Sequence, residues 1–256
     1  MKKDSIDAFV KELSQSVKAV RHNKYLIVFP VLLDFLFPIA YGFIAAYFGG
    51  SIIDGLYSLG ASMLQAETSG MTDTARGIIY ALIGFAAASY AAYVLLQGLS
   101  WKYSSVFSGM SGRKSTMSIL VYLKRFAAVN LLWFALISLH STASFLIDYH
   151  DLRSSFLSAL LYIYLAALVY FALISYTLLD KGSYRAVSQS FIKGFNNAVR
   201  ILPRMLFAAA VLVIVNYAVI SSAMISRNIM IIMGVILLLP IVTWARVYLH
   251  IVIKNA

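Results

Sequence analysis

Apolar residues run along this chain in six long blocks separated by short polar ones, at 25–48, 78–99, 126–147, 155–179, 205–225 and 229–249. Each block has the length of a membrane span, since about 20 apolar residues cross roughly 30 Å of hydrocarbon at 1.5 Å per residue. The pattern predicts an all-α fold: a polytopic membrane bundle of six transmembrane helices.

A second pattern lies between the blocks. Ile6, Phe9, Val10, Leu13, Val17 and Val20 recur at helical spacing, with Lys11, Lys18 and Arg21 off that stripe. Residues 1–24 are therefore predicted to form an amphipathic helix lying on the membrane surface, too polar to cross. Tyr184, Val187, Phe191, Phe195, Ala198 and Leu202 repeat the stripe, flanked by Arg185, Lys193, Asn196, Asn197 and Arg200. Residues 117–125 allow a shorter version. The chain thus reads as three copies of one unit: surface helix, outward span, outer turn, returning span. Ser14-Gln15-Ser16 and Ser188-Gln189-Ser190 take comparable places in the first and third copies. Copies of one orientation would be related by an axis along the membrane normal. In the longest outer connection, 49–77, the residues Ile52, Ile53, Leu56, Leu59 and Met63 predict a helix on the outer interface, followed by a loop over 65–74. The other outer links, 148–154 and 226–228, are short enough for tight hairpins.

Composition agrees: 61% of the 256 residues are apolar and 12% charged, with a mean hydropathy of +0.83. Soluble domains hold about 45–50% and about 25%. No cysteine, 4 prolines and 14 glycines without a period exclude a disulfide scaffold, collagen and disorder. No linker composition divides the chain, which reads as a single domain over 1–256.

Charge adds an orientation. Of the 21 Lys and Arg, all but Arg76, Arg153 and Arg227 fall on one set of segments. Cytoplasmic loops retain positive charge, so both termini are expected in the cytoplasm of a multi-pass cell-membrane protein, with the first span acting as signal anchor. The net charge of +11 then reflects topology and not a nucleic-acid partner.

The runs from Ser16 to Pro30 (SVKAVRHNKYLIVFP) and from Ser190 to Pro203 (SFIKGFNNAVRILP) resemble a broad group of uncharacterised prokaryotic six-span membrane proteins. Their segments leading into the membrane are similar to those of the membrane domain attached to some glycerophosphodiester phosphodiesterases. The resemblance implies a fold type and no activity. The stretch 185–203 also resembles the coupling helix of ATPase-driven importer permeases, although Arg185-Ala186-Val187 replaces the Glu-Ala-Ala of that family and the glycine spacing differs.

Polar residues inside spans are expensive and tend to face the bundle interior. Asp34 lies between Pro30 and Pro38 in the first span, His140 among serines in the third, and Asn216 near the middle of the fifth. Together they would suit a proton or ion path; separately they would be hydrogen-bonding partners between helices. Arg204, Arg246 and Lys254 are expected to snorkel to lipid phosphates. Gly84, Ala88 and Ala92 form a small-residue face for close packing, and Tyr170 lies deep enough to need a hydrogen-bond partner.

Enzyme signatures are lacking: no P-loop, no dinucleotide glycine pattern, no nucleophile elbow, and histidines scattered without metal-ligand spacing. No cofactor is expected. Two readings remain. The favoured one is a non-catalytic protein that binds anionic lipid or a partner subunit, membrane or cytoplasmic, through Lys18, Arg21, Lys24, Lys124, Arg125, Arg185, Lys193, Arg200 and Arg204. The alternative is a transporter or permease subunit with its polar site near Asp34.

Overall fold

A computed structural model describes residues 3–22, 25, 27–64, 68–109, 117–150 and 154–256. They form α1 (Lys3–His22), α2 (Val28–Leu64), α3 (Thr68–Phe107), α4 (Ile119–Tyr149), α5 (Ser155–Thr177), α6 (Ser183–Asn196), α7 (Ala198–Ser221), α8 (Arg227–Met233) and α9 (Leu239–Asn255). Six stretches are long and apolar enough to cross a membrane: Val28–Gly60, Thr72–Phe107, Ile119–Tyr149, Ser155–Thr177, Ala198–Met224 and Arg227–Asn255. The protein is an all-α, multi-pass membrane protein, and each of the six expected blocks lies on one of these stretches.

Several helices outrun the apolar block that signalled them, because a backbone without internal hydrogen bonds is costly near hydrocarbon and a helix continues until something stops it. The outer connection shows this. The expected interfacial helix is a continuation of α2 to Leu64, and most of the expected loop is the start of α3 at Thr68. No proline falls between Gly49 and Leu64, and the helix continues through the glycines there, so α2 reaches about 55 Å at 1.5 Å per residue, well beyond the thickness of the hydrocarbon. The short surface helix expected before the third span is also absent among the described residues: Ser118 caps α4 by accepting the Val121 amide at 3.3 Å, and the helix runs straight on. Ser154 caps α5 in the same way, through the Leu157 amide at 3.2 Å. In the last span a π-helical turn, Gly234–Leu238, joins α8 to α9. The Leu239 amide closes this turn on the Gly234 carbonyl, and Pro240, which has no N–H to donate, follows at the start of α9.

Packing divides the chain into two compact units, 1–31 with 98–256, and 32–97. The smaller unit is a hairpin with antiparallel legs from α2 and α3. Phe37 meets Tyr93 edge-on at 5.9 Å and Tyr41 meets Phe85 at 5.9 Å. Gly84 lies under Phe48, where an added Cβ would come within 2.5 Å of the ring, so the small-residue face is used for close approach at that position.

The larger unit centres on buried aromatic rings. Trp101 meets Tyr176 at 5.3 Å, Tyr176 meets Phe126 at 5.2 Å, and the Tyr176 hydroxyl donates to Asn130 Oδ1 at 2.6 Å. Trp133 Nε1 donates to Ser175 Oγ at 3.0 Å. Tyr170 finds its partner on α6, donating to the Gly194 carbonyl at 2.8 Å. Helix α3 approaches α4 at Gly98, where a Cβ would lie 2.8 Å from Leu123 and 3.0 Å from the fully buried Phe126 ring. Gly98→Val should therefore lower stability by about 1–3 kcal/mol, as overpacking in a filled core does. Thermal unfolding of the purified protein in detergent checks this, and an unchanged melting temperature would contradict the close approach.

Candidate functional site

The larger unit gathers the N-terminal ends of α4 and α7, the C-terminal ends of α3, α5 and α9, and the helices α1 and α6 at one basic end. What holds that end together is a buried acid. Glu12, 1% exposed, points from α1 toward the start of α7. Arg200 Nη2 donates to its Oε1 at 2.6 Å, and Arg204 Nε donates to its Oε2. Arg204 also donates to the Arg200 carbonyl at 2.7 Å. A carboxylate removed from water would be strongly unfavourable alone, and two guanidinium partners make it tolerable. Beside it, Trp244 Nε1 donates to Ser16 Oγ at 3.0 Å, and Phe9 meets Phe207 edge-on at 5.1 Å. Ala19 and Val20 pack on the cluster of Phe107, Val247 and Ile251.

Docking on this side gives α1 three faces. Glu12, Ser16, Phe9 and Val20 face the bundle. Ile6, Val10 and Val17 are exposed and apolar, and Lys11, Lys18, Arg21 and His22 are exposed and polar. The surface-helix stripe of the sequence is thus divided between protein packing and an outward apolar arc. Helix α6 repeats the arrangement: Ala186, Ser190 and Gly194 are buried, Tyr184, Phe191 and Phe195 are exposed, and Arg185 is exposed beside them. The two Ser-Gln-Ser tripeptides agree at their last residue. Ser16 and Ser190 are both fully buried, and each donates to the carbonyl three residues back at 2.7 Å, to Leu13 and Val187 respectively.

The nine basic residues singled out from the sequence separate into two groups. Arg204 is 4% exposed and bound to Glu12, so it does not snorkel to phosphates, and Arg200 shares its partner. Arg125 donates to the carbonyls of Leu179 and Asp180 at 3.1 and 2.9 Å, in the short 3-10 turn that follows α5. Lys193 donates to the Ile253 carbonyl at 3.0 Å in the last turn of α9. Helix C-termini present unpaired carbonyls and partial negative charge, which explains both cations. Burial pushes the Lys193 amine below its ordinary pKa, and Lys181 and Arg200 push it the same way. Lys18, Arg21, Lys124 and Arg185 remain exposed, and Lys24 lies outside the described residues.

Arg246 is a second correction. Expected to snorkel, it is buried, donates to Ser100 Oγ, and lies over the Trp101 ring at 5.6 Å. Lys102 lies over the Tyr122 ring at 5.1 Å. Hydroxyl, ring and cation satisfy one another there, so neither side chain needs a lipid phosphate. Reading the sequence alone passed over these residues. A signal existed: Ser100-Trp101, Ser175-Tyr176 and Thr243-Trp244 place a hydroxyl and an aromatic ring near the end of each returning span, and all three hydroxyl residues are buried.

The three intramembrane polar candidates are placed differently. Asp34 is 5% exposed in the smaller unit and accepts from Gln97 Nε2 at 3.2 Å. His140 faces the Tyr164 ring at 5.8 Å and borders a pocket of about 80 Å³ with Ser144, Asp148 and Ser158. Asn216 is exposed on α7. Among the described residues His140 and Asn216 share no hydrogen bond.

No family model, curated protein or solved structure matches the chain.

The anchor has a measurable signature. Glu12→Gln leaves two guanidinium groups facing a neutral amide, one of them buried, and should cost about 3–5 kcal/mol, the usual consequence of removing one partner from a buried ion pair. The double variant Glu12→Leu with Arg204→Met should recover much of that loss. Thermal unfolding of Glu12→Leu, Arg204→Met and the double variant forms the cycle, and additive losses would show that the residues are not coupled.

Proposed function

We propose that the protein is a non-catalytic integral membrane protein that binds anionic lipid through its basic end, on the cytoplasmic leaflet. The observation that carries this reading is the three-faced α1. One face is fixed to the bundle by Glu12, Ser16 and Phe9, which leaves Ile6, Val10 and Val17 to enter the acyl boundary and Arg21 to meet the headgroups. A helix of this kind free in solution would bind a membrane reversibly, whereas here the bundle holds it at a fixed depth. Helix α6 offers the same pairing through Phe191, Phe195 and Arg185. Each exposed cation near an anionic surface contributes about 1 kcal/mol. Arg125, Lys193, Arg200 and Arg204 contribute to architecture instead, which narrows the lipid-binding set from that expected by sequence. The transport alternative rests on Asp34, whose carboxylate is engaged by Gln97.

Replacing Arg21, Lys124 and Arg185 together by Gln should reduce the anionic lipid retained after detergent extraction, measured by lipid mass spectrometry, by tenfold or more at low salt. That size follows from about 3 kcal/mol in the headgroup interaction. The melting temperature should stay within a few degrees, since none of the three is buried. Arg204→Gln should do the reverse, lowering stability without selectively removing anionic lipid. Unchanged retention in the triple variant would sink the proposal.

The orientation is tested separately. The native chain has no cysteine, so single cysteines at Lys124 and Arg185 should be labelled by a membrane-impermeant reagent only from the cytoplasm, and cysteines at Tyr149 and Asn228 only from outside. Labelling of Asn228→Cys from the cytoplasm would overturn the topology.

A further inference from the structure

On the flank of α1 away from its exposed apolar arc, the larger unit holds an open cleft of about 490 Å³, a volume in the range of small-molecule sites. Lys18 and His22 of α1 and Lys254 of α9 line it, with Phe107 and Ile251 as an apolar floor. Among the described residues no carboxylate lines the cleft, and neither Lys18 nor His22 has an ionic partner. Lys254 reaches the Gly109 carbonyl only at 3.5 Å. Two ammonium groups and an imidazole brought together from two elements, with no acid to neutralise them, concentrate positive potential over a low-dielectric floor. Glu12, the buried acid among the described residues of this unit, is paired with Arg200 and Arg204, so it does not neutralise the cleft.

Direction decides which ligand. At 100° per residue, Lys18 points about 100°, His22 about 140° and Gln15 about 160° around the α1 axis from the centre of the arc formed by Ile6, Val10 and Val17. If that arc enters lipid, the cleft opens to water, and a lipid whose headgroup filled it would have to carry its acyl chains around the helix. We propose that this cleft binds a water-soluble phosphate monoester, whose dianion matches Lys18 and Lys254, with His22 as an additional hydrogen-bond donor. The inference rests on the surface placement of α1 proposed above. It names a second site on that helix, which a soluble ligand can load or leave empty independently of the lipid.

Binding of glycerol 3-phosphate to the full chain in detergent, followed by calorimetry and by the rise in melting temperature, tests the proposal. Glycerol 3-phosphate carries the same headgroup chemistry as phosphatidic acid, so nanodiscs containing phosphatidic acid form the second arm. Saturable binding to the native chain is expected, with affinity falling at least tenfold in Lys18→Gln/Lys254→Gln and persisting in Lys18→Arg. The Arg21, Lys124 and Arg185 triple variant should lose anionic lipid and keep the soluble ligand. Absence of glycerol 3-phosphate binding to a folded native chain would overturn the site, as would equal affinity in the Lys18/Lys254 double variant. Retention of phosphatidic acid that depends on Lys18 and Lys254 without soluble binding would also overturn it and assign the cleft to lipid headgroups. Loss of lipid retention in the triple variant together with no soluble binding would leave the lipid reading intact and remove this one, so the two fail separately.

Discussion

Glu12 is a charge that the fold cannot leave unpartnered. Its carboxylate lies in a position from which water is excluded, and desolvation of a lone carboxylate costs more than an ordinary packing contact returns. Arg204 from the second turn of α7 and Arg200 one turn earlier meet it from the same helix, so the position of α1 along and around α7 is restricted to what those hydrogen bonds allow. Once that register is set, Ser16 falls opposite Trp244, Phe9 opposite Phe207, and Val20 on the cluster of Phe107, Val247 and Ile251. A helix that composition describes only as amphipathic thereby acquires a defined bundle face, and its remaining two faces are defined by exclusion.

The same demand for internal partners organises the rest of the larger unit. Association in a membrane gains little from the hydrophobic effect, because lipid tails are as apolar as leucine, so close packing and polar pairs carry specificity. Ser175 receives the Trp133 indole, Asn130 receives the Tyr176 hydroxyl, and Ser100 receives Arg246. Arg125 is placed on the turn that follows α5, and Lys193 where α9 ends and carbonyls lack helical partners. Much of the positive charge on this side is thus part of how helices end and meet. The exposed cations there lie on outward faces of α1, α4 and α6 and at Lys181 and Lys254, and these are the ones able to act on something outside the chain.

This separation bears on how the basic end would work. A surface helix held rigidly at the bundle presents its apolar arc at a fixed depth, so binding to lipid would not carry the ordering cost of an unfolded peptide. The opposite flank of α1, with Lys18 and His22, faces the cleft shared with α9, so one helix borders two environments. In the hairpin of α2 and α3, by contrast, the buried polar feature is Asp34 with Gln97, and the aromatic pairs along its legs are those of close packing.

Sequence by itself determined the class. Six apolar blocks can only be six helices, because hydrocarbon offers no partner to an open backbone, and α1 and α6 were legible as amphipathic from the spacing of Phe9, Val17, Phe191 and Phe195. Even the equivalence of the two Ser-Gln-Ser tripeptides could be seen in the text, and the burial of Ser16 and Ser190 agrees with it. Helix ends were less legible: the extension of α2 to Leu64 follows from the absence of a breaker, a weaker signal than hydropathy. What only the tertiary structure decided was the role of each charge. Arg21 and Arg204 look alike in a one-dimensional pattern, since both are arginines beside an apolar block. One is exposed and the other lies against a carboxylate 192 positions away. That pairing depends on which face of α1 meets which turn of α7, and periodicity fixes the faces of a helix without fixing what they touch.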